Sequence, residues 1–444
     1  MPNTALCSLH SILLAAGPLG ATLHVPADFP TIQACIDAAV SGVDECVVAP
    51  GTYYETINFL GKAITLRSSG GGMYNVVSST TITFCTFSGN SAAHFRRGDF
   101  NYSGSGGGMF NDRSSPTVTY CTFSQNSATI WRDGRARFQG SGGGIFNFAS
   151  NPTVTGCTFS GNSAKNFGGA MVNYWASRST VGDCAFRGNT ADYGAGMYND
   201  SATVPSPQPA TNDDPITQEG GICNGYPLLS MTNCTFSRNS AAIHGDGMYN
   251  LLASGTVTMD DCILWGDGPH EIVSQGVCLP TVNFSDVKGG LAVCGIDGGG
   301  NIDLDPMFAR SPDPGPDGMW DGVDDDYGDL RLQAGSPCIN AGDPAFVPQP
   351  GETDLDGHAR VLCGRVDMGA YEFGIGDYDC DDAVGLTDFS HWSACATGPQ
   401  ATALAGEPPV APSCDAFDFD GDGDVDLFDF ASFSKAATGA ADEP

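Results

Sequence analysis

The chain has 444 residues, of which 18 are basic and 51 acidic, so its formal net charge at pH 7 is −33. Such a charge opposes binding to nucleic acid and to anionic lipid, and it favours divalent cations, because crowded carboxylates lower their energy by sharing a counterion. Beyond the N-terminal segment, no apolar run approaches the roughly 18 residues of a membrane-spanning helix. We therefore expect neither a nucleic-acid partner nor a membrane span.

Residues 1–21 have the pattern of a signal peptide. Residues 5–16 form a short apolar stretch that ends in small residues, although no Lys or Arg precedes it. The chain also holds 17 cysteines, a usage typical of oxidising compartments. Together these features predict a secreted protein that is extracellular or held at the cell surface.

Residues 31–40 follow the signal segment and have the apolar spacing of an amphipathic helix. The apolar residues that come next, 47–49, indicate a short strand. The chain is thus expected to begin its fold with one helix beside the first strands.

Two short phrases alternate along most of the remaining chain, and self-similarity at a period of 20 to 50 residues marks a solenoid or an array. The first phrase is a glycine cluster that ends in asparagine, at Asn75, Asn111, Asn147, Asn173, Asn199 and Asn250. The second reads Cys-Thr-Phe-Ser-Gly-Asn with variations, and it begins at Cys85, Cys121, Cys157, Cys184 and Cys234, with a degenerate copy at Cys262.

The spacing of these phrases predicts a parallel β-helix. Ile145, Met171 and Met197 recur 26 residues apart, a length that fits one coil of several short strands. Consecutive coils stack like neighbouring strands of a parallel sheet, so equivalent residues form ladders. The phenylalanines of the second phrase should then form an internal aromatic stack of Phe87, Phe123, Phe159, Phe186 and Phe236.

Within one coil, Val118, Cys121 and Phe123 are predicted to face inward and the neighbouring threonines to face water. The asparagines that end the second phrase are predicted to sit in left-handed turns with their amides bonded to adjacent coils: Asn90, Asn126, Asn162, Asn189 and Asn239. The repeated glycines mark bends, and phosphate binding by a glycine-rich loop is the disfavoured alternative. The repeated cysteines are predicted to be buried rather than metal ligands, because no Cys-x-x-Cys pair accompanies them.

These phrases resemble the repeats of polymorphic outer-membrane proteins and of other right-handed, pectin-lyase-like β-helix proteins, over most of residues 22–373. The resemblance implies an all-β fold, a right-handed parallel β-helix solenoid. Residues 31–40 resemble the N-terminal cap helix of that class, which covers the open end of the core. Residues 366–373 resemble its closing segment.

Four pairs of cysteines outside the repeat are close enough in sequence to form bridges in an oxidising compartment, although sequence does not fix their connectivity. The pairs are Cys35 with Cys46, Cys278 with Cys294, Cys338 with Cys363, and Cys395 with Cys414.

Two insertions follow successive copies of the second phrase, at residues 94–102 and 130–138, and they hold five of the 18 basic residues. Stacked coils would place the two loops side by side. An arginine pairs well with a carboxylate, and an aromatic ring can cover a sugar face. The candidate residues for binding an anionic polysaccharide are Arg96, Arg97, Trp131, Arg132, Arg135, Arg137 and Lys165.

Three interpretations of these loops remain open. They are structural loops with solubilising charge, they bind a glycan, or they form the active site of a polysaccharide lyase or hydrolase that acts on uronate-containing polysaccharide. β-helix lyases use a basic residue to abstract a proton beside a neutralised carboxylate, and Asp99 and Asp133 would then be calcium ligands or general acids. Standard hydrolase motifs are absent from the sequence.

Residues 374–444 contain 15 acidic residues and one basic residue, and an Asp-rich pattern occurs in them twice. The second copy fits a calcium loop, with Gly423 at the sixth position, where the chain turns sharply. Its carboxylates are Asp418, Asp420, Asp422, Asp424, Asp426 and Asp429. The first copy has Asp382 where glycine is expected, and it offers Asp377, Asp379, Asp381 and Asp388. A disordered acidic tail is the alternative, but apolar residues follow the second copy in an amphipathic pattern.

The duplicated loop and helix resemble a type I dockerin, so residues 374–444 are expected to form a small α-helical domain that binds Ca²⁺. The resemblance implies a cohesin-like protein or a cell-surface scaffold as partner. Leu386-Thr387 and Leu427-Phe428 stand where members of that family often carry small hydroxyl residues, so calcium binding is the firmer expectation. A third Asp-rich stretch, residues 313–329, lacks the loop spacing and is expected to be a solvated acidic loop.

Overall fold

The structure is a computed structural model that describes residues 21–374 and Phe430. The described range excludes residues 42–43, 50–63, 69–71, 78–79, 93–103, 130–139, 176, 202–226, 253–254, 277, 292–293, 321 and 323. For residues 45, 64–68 and 227 only the backbone is described. The signal segment and, apart from Phe430, the calcium-binding module predicted for residues 374–444 lie outside this range.

The described chain winds through four parallel sheets in turn, and each of five central coils contributes one strand to each sheet. Sheet 1 contains Thr22–Val25, Glu45–Val48, Ile64–Ser68, Cys85–Ser88, Thr122–Ser124, Thr158–Ser160, Ala185–Arg187, Thr235–Ser237, Ile263–Leu264 and Asp286–Val287. Sheet 2 contains Ser91–Ala92, Ser127–Ala128, Ser163–Ala164, Thr190–Tyr193 and Ser240–His244.

Sheet 3 contains Met73–Val76, Met109–Asp112, Ile145–Phe148, Met171–Tyr174, Met197–Asp200, Met248–Leu252 and Ile272–Gly276. Sheet 4 contains Thr81–Thr83, Thr117–Thr119, Thr153–Thr155, Ser179–Gly182, Pro227–Thr232, Thr256–Asp260, Thr281–Asn283 and Ile296–Gly299. An antiparallel pair, Phe308–Arg310 with Asp329–Leu332, follows the last coil. The fold is therefore a parallel β-helix, as the repeat predicts.

Equivalent residues of successive coils stack in register. Ile145 lies opposite Met171, which lies opposite Met197, as their spacing predicts. Phe123 pairs with Phe87 on one side and with Phe159 on the other. The repeat period in the sequence is therefore the length of one coil.

The interior of the coils is a continuous apolar core. Val118, Cys121 and Phe123 are buried, which confirms their predicted inward direction. The predicted aromatic stack is also present, with ring centroids 4.4–4.9 Å apart and nearly parallel planes. Such offset stacking adds to the stabilisation that each ring gains from burial.

A short α-helix, Ile32–Ala38, joins the core at its N-terminal end. The Thr31 hydroxyl accepts a hydrogen bond from the Ala34 amide at 3.0 Å and so caps the helix. Cys35 of the helix forms a disulfide with Cys46 of the second strand of sheet 1. This confirms the helix predicted from the apolar spacing and one of the predicted disulfides.

The asparagine ladder is present, but its backbone differs from the expectation. The side-chain amide of Asn126 donates to the Asn162 Oδ1 at 2.9 Å and to the Phe87 carbonyl at 2.8 Å, so the amides do join adjacent coils. The left-handed residue, however, is the one before each asparagine, such as Gln125 with φ 53° or Gly161 with φ 61°. The asparagine must keep its amide inside the ladder, and therefore the residue before it makes the turn.

The chain after the last coil returns over the outer face of sheet 1 and buries it. Trp320 covers Gly188 and Tyr327 covers Gly161, two positions where a Cβ atom would collide with the covering ring. Arg187 of sheet 1 donates to the Gly328 carbonyl at 3.1 Å. We call residues 306–373 the return segment.

The end of the return segment is fixed to sheet 1 by a buried arginine. The Arg360 guanidinium lies 3.4 Å from the Asp183 carboxylate and 3.3 Å from the Glu372 carboxylate. Close by, Ala370 donates to the Thr235 hydroxyl at 2.9 Å. Residues 366–373 thus close the outer face of sheet 1, whereas the resemblance suggested that they end the solenoid.

Two of the predicted cysteine pairs are wrong. Cys294 and Cys338 are thiols, whereas Cys278 and Cys363 are each disulfide-bonded, so neither Cys278–Cys294 nor Cys338–Cys363 is a bridge. The return over sheet 1 buries Cys338, and its thiol donates to the Asp286 carboxylate at 3.3 Å. Proximity in sequence therefore did not determine which cysteines pair. The remaining predicted pair, Cys395 with Cys414, lies outside the described residues.

Candidate functional site

The two arginine-rich loops leave the solenoid from neighbouring positions of sheet 2. The predicted site residues of the two loops lie outside the described range: Arg96, Arg97, Asp99, Trp131, Arg132, Asp133, Arg135 and Arg137. The strands that precede them, Ser91–Ala92 and Ser127–Ala128, pair in register, and the Thr129 amide donates to the Ala92 carbonyl at 3.1 Å. The chain re-enters the coils at stacked positions as well, since Gly106 donates to the Ser141 carbonyl. The bases of the two loops are thus adjacent.

Lys165 continues this column on the next coil, where its amide donates to the Ala128 carbonyl at 3.0 Å. Its ammonium lies 3.6 Å from the Asp192 carboxylate, and the side chain is 61% exposed. An exposed ion pair of this kind contributes little to stability and is easily replaced by another anion. Lys165 therefore lies beside the bases of the loops and forms an exposed ion pair with Asp192.

The residues predicted to bind calcium lie outside the described range, namely Asp377, Asp379, Asp381, Asp388, Asp418, Asp420, Asp422, Asp424, Asp426 and Asp429. In the third Asp-rich stretch, several carboxylates accept hydrogen bonds from backbone amides two residues further on, as Asp313 does from Gly315 at 3.0 Å. Among the residues that the structure describes, no group of three or more His, Cys, Asp or Glu side chains is arranged to hold a metal ion.

The repeated cysteines form a ladder of buried thiols inside sheet 1. The Cys157 thiol accepts a hydrogen bond from the Cys121 amide at 3.3 Å and donates to the Thr155 carbonyl at 3.3 Å. Burial raises the pKa of the Cys157 and Cys184 thiols. Neutral, buried thiols with backbone partners are poor metal ligands and poor nucleophiles, so Cys157 and Cys184 have a structural role.

The structure also contains a pocket that the sequence did not reveal, at the far end of the outer face of sheet 1. It has a volume of about 290 Å³. Its lining residues are Ser237, Arg238, Trp265, Gly266, Gly268, Lys288 and Ser311. Three successive coils supply all of them except Ser311, which comes from the return segment. We call this the basic pocket.

The wall of the basic pocket combines an indole with two cations. The Trp265 and Lys288 amides donate to carbonyls of the preceding coils, at Phe236 and Leu264, so both residues follow the end of a sheet 1 strand. The Lys288 ammonium lies 5.4 Å from the centroid of the Trp265 ring, a cation–π distance. Arg238 and Lys288 are both exposed.

Two buried carboxyl groups lie behind the turn that contains Gly266. The Glu271 carboxylate accepts a hydrogen bond from the Gly266 amide at 2.9 Å, and the Asp267 carboxylate belongs to the end of the asparagine ladder. Burial raises the pKa of Glu271 to about 7, and burial together with Glu271 raises the pKa of Asp267 further. The Lys288 ammonium of the pocket opposes the shift of Glu271, so the two groups interact across the turn.

The sequence did contain a signal for the basic pocket. At the position after the ladder phenylalanine, the first three copies of the second phrase have serine, at Ser88, Ser124 and Ser160. The last coils have Trp265 and Lys288 at this position, and Trp265 belongs to the degenerate copy that begins at Cys262. When the repeated residue changes at an outward-facing position while the inward-facing positions stay apolar, the change indicates a site on the surface.

Comparison with known proteins identifies one local family match. Residues 120–147 match the model of the Chlamydia polymorphic membrane protein repeat. The matched segment runs from Tyr120, directly before the second phrase, to Asn147 of the first phrase, and so covers part of one coil. No curated protein matches the chain. Across the described residues, no helix is long and apolar enough to cross a membrane. The repeat match and the stacked parallel sheets together fit a parallel β-helix of the polymorphic membrane protein type.

Proposed function

We propose that this is a secreted, cell-surface protein whose right-handed parallel β-helix binds an anionic polysaccharide without cleaving it. We further propose that a calcium-loaded, dockerin-like module in residues 374–444 attaches it to a cohesin-like protein or another surface scaffold. Right-handed winding is expected because parallel crossover connections are almost always right-handed. The match to a repeat of membrane proteins supports a place at the cell surface.

The adjacency of the two loop bases carries the glycan-binding part of the proposal. Five arginines follow strands that pair in register, and a cluster of cations beside these strands would stand out on a protein whose net charge is −33. Charges further apart than about 8 Å are screened at physiological ionic strength, and the local cluster therefore decides which ligand binds. Bidentate pairing to carboxylates suits arginine better than lysine.

The attachment part rests on the loop pattern from Asp418 to Asp429. Carboxylates at alternate positions converge on one hard cation, and Gly423 permits the turn that brings them together. Attachment through a terminal module would leave the length of the solenoid free to contact polysaccharide.

A polysaccharide lyase or hydrolase that acts on uronate-containing polysaccharide is the second candidate. The observation that favours it is the presence of Asp99 and Asp133 within the two basic loops. A carboxylate among arginines can hold calcium or act as a general acid.

Binding and cleavage are distinguished by one experiment on the full chain. Purified protein is mixed with polygalacturonate, alginate or a neutral glucan, in calcium and then in chelator, and followed by affinity electrophoresis and by absorbance of unsaturated products. We expect retardation by the acidic polymers without product. Product formation would establish the enzyme, and the absence of retardation on every acidic polymer would refute glycan binding.

A variant in which the five loop arginines are glutamine should lose the retardation. The matched control changes exposed arginines elsewhere, as Arg113→Gln and Arg310→Gln, and should retain it. Equal loss in both variants would show that general charge, and not the loop cluster, causes the binding.

A further inference from the structure

We propose that the basic pocket, bounded by Arg238, Trp265 and Lys288, is a second binding site that accepts one acidic sugar unit bearing a carboxylate or a sulfate ester. The site lies on the outer face of sheet 1, whereas the loops belong to sheet 2. It extends the proposed function by a separate site, and it shares with that function only the class of ligand.

The first argument is the pairing of charges. Five of the described cations pair with carboxylates: Arg113 with Asp112, Lys165 with Asp192, Arg310 with Asp326, Arg331 with Asp329, and Arg360 with Asp183 and Glu372. Two more, Arg187 and Arg365, donate to backbone carbonyls. Arg238 and Lys288 form no ion pair with a carboxylate of the described residues, although acidic residues outnumber basic ones almost threefold. Two unpaired cations beside one cavity leave a site for an anion.

The second argument is the position of the cations. Arg238 occupies the left-handed turn of its coil with φ 58°, a conformation that is unfavourable for residues other than glycine. The turn directs Arg238 toward the next coil, where a Cβ atom on Gly266 would lie 4.0 Å from its Nε. Lys288 approaches from the coil beyond and rests against Trp265. The cations therefore converge across Gly266 from two sides.

The third argument concerns the shape and chemistry of the wall. A volume of about 290 Å³ lies at the lower end of the range for small-molecule sites, so it suits a single sugar ring. The indole of Trp265 offers an apolar surface to the C–H groups of such a ring. The Ser237 hydroxyl is already used, because it donates to the Trp265 carbonyl at 3.0 Å, whereas Ser311 is exposed at the rim.

These features favour a sugar acid over a bare inorganic anion. A sulfate or phosphate ion would use the two cations and leave the indole surface exposed to water, whereas a pyranose would cover it. A long polyphosphate is disfavoured by the charge of −33 that surrounds the pocket. A residue within or at the end of an acidic polysaccharide satisfies both the cations and the apolar wall.

The test is isothermal titration calorimetry on the full-length protein in which the five loop arginines are already glutamine, so that binding by the loops is removed. The ligands are a trigalacturonate, a sulfated disaccharide, a neutral trisaccharide and sodium sulfate. We expect one of the two acidic saccharides to bind, and the neutral sugar and sodium sulfate to bind at least tenfold more weakly. Which saccharide binds identifies the anionic group.

Variants of the pocket complete the test. Lys288→Gln and Arg238→Gln should each weaken the acidic saccharide about tenfold or more, since each removes a charge-assisted hydrogen bond. Lys288→Arg should retain part of the affinity. Arg310→Gln, which changes a cation paired with Asp326, is the control and should bind as the parent does.

Three outcomes would overturn the inference: no binding of either acidic saccharide, equal affinity for sodium sulfate, or unchanged affinity in both pocket variants. Thermal unfolding of each variant shows whether it is folded, so loss of binding with an unchanged midpoint is assigned to the pocket. Because the loop arginines are absent throughout, failure here leaves the loop proposal standing. The loop proposal is decided separately, by affinity electrophoresis of the parent protein against the variant in which the five loop arginines are glutamine.

Discussion

Asn239 directs both its backbone amide and its side-chain amide at one oxygen of Asp267, at 2.7 and 2.9 Å. In the coils before it the acceptor is another asparagine, as when Asn189 donates in the same way to Asn239. Asp267 thus ends the asparagine ladder with an acid. Its other oxygen is buried and has no hydrogen-bond partner among the described residues. The raised pKa of Asp267 follows from this position, because burial disfavours the ionised form and the nearby Glu271 carboxyl group adds repulsion.

We predict that Asp267→Asn stabilises the protein more at pH 8 than at pH 5, by about 1–2 kcal/mol or more. The folded protein holds the Asp267 proton more tightly than the unfolded chain does. The native state is therefore favoured below the ordinary pKa of aspartate and loses that advantage as the pH rises. An asparagine keeps the acceptor for Asn239 and carries no charge. Urea unfolding at both pH values measures the difference, with Asp37→Asn on the N-terminal helix as an exposed control. An equal shift at pH 5 and pH 8 would contradict the prediction.

A second prediction concerns the buried carboxyl groups of the described chain as a set. Burial raises the pKa of four of them to about 7 and that of Glu372 to about 9, even though Arg360 opposes the shift of Glu372. The four are Asp183, Asp261, Glu271 and Asp286. A group with a raised pKa stabilises the fold below its unfolded pKa, and this stabilisation disappears as the pH passes its folded pKa. The thermal midpoint should therefore fall from pH 5 to pH 9.

Differential scanning calorimetry in 0.5 M salt measures this trend, because salt screens the general repulsion of a chain with charge −33 while buried groups are screened much less. A midpoint that stays constant or rises between pH 5 and pH 9 would mean that these carboxyl groups ionise in the fold without cost.

Arg360 provides a third prediction. Its side chain is fully buried between Asp183 and Glu372, and removal of one member of a buried charged cluster typically costs about 3–5 kcal/mol, since the buried groups that remain lose their partner. We expect Arg360→Met to release the end of the return segment. Hydrogen exchange should then lose protection at the amides of Gly369 and Ala370, which bond to the coils, while the strands of the phenylalanine ladder keep theirs.

The control for Arg360 is Arg310→Met, which removes an exposed pair with Asp326 and should cost less than about 1 kcal/mol. Uniform loss of protection over the whole solenoid in Arg360→Met would show that the return segment and the coils unfold as one unit.

The aromatic ladder allows a fourth, paired prediction. Phe159 stacks on Phe123 at 4.9 Å and on Phe186 at 4.8 Å, whereas Phe236 has a single ladder ring beside it, Phe186 at 4.4 Å, and the next coil offers Leu264. Both rings are fully buried, so Phe→Leu at either site loses a comparable apolar area. Phe159→Leu should be more costly than Phe236→Leu by about 0.5–1.5 kcal/mol, the energy of one aromatic pair. Equal free energies of unfolding would show that burial alone sets the cost.

The coils could be predicted from the sequence, whereas the outer face of sheet 1 could not, and the reason is physical. A ladder requires equivalent residues in every coil, so the roles of Phe123 and Asn126 can be recognised from their repetition in the sequence. The return segment uses side chains that occur once, such as Trp320 and Tyr327, and it packs on Gly161 and Gly188, which look like ordinary turn glycines. No local pattern shows that these turns are covered.

The cysteines illustrate the same limit. Cys35 and Cys46 are joined because a helix and the strand after it are neighbours both in sequence and in space. Cys338 belongs to the return segment and faces Asp286 on the last coil of sheet 1, a contact that spans 52 residues and that no spacing rule predicts. The basic pocket depends on this tertiary return too, because Ser311 completes its rim.

The last prediction concerns calcium and the two Asp-rich loops of residues 374–444. The second loop has Gly423 at the turn, whereas the first has Asp382 there, a residue whose Cβ resists the left-handed backbone that such a turn favours. We therefore expect titration of the full-length protein with calcium to show two sites, of which the tighter one disappears in Asp418→Asn with Asp420→Asn. The weaker one should disappear in Asp377→Asn with Asp379→Asn. Asp317→Asn, in the third Asp-rich stretch, is the control and should leave both sites intact.

If Asp382→Gly raised the affinity of the first loop to that of the second, the residue at the turn would be shown to cause the difference in affinity. If instead the tight site survived loss of Asp418 and Asp420, calcium would be bound elsewhere, and the attachment proposal would lose its basis.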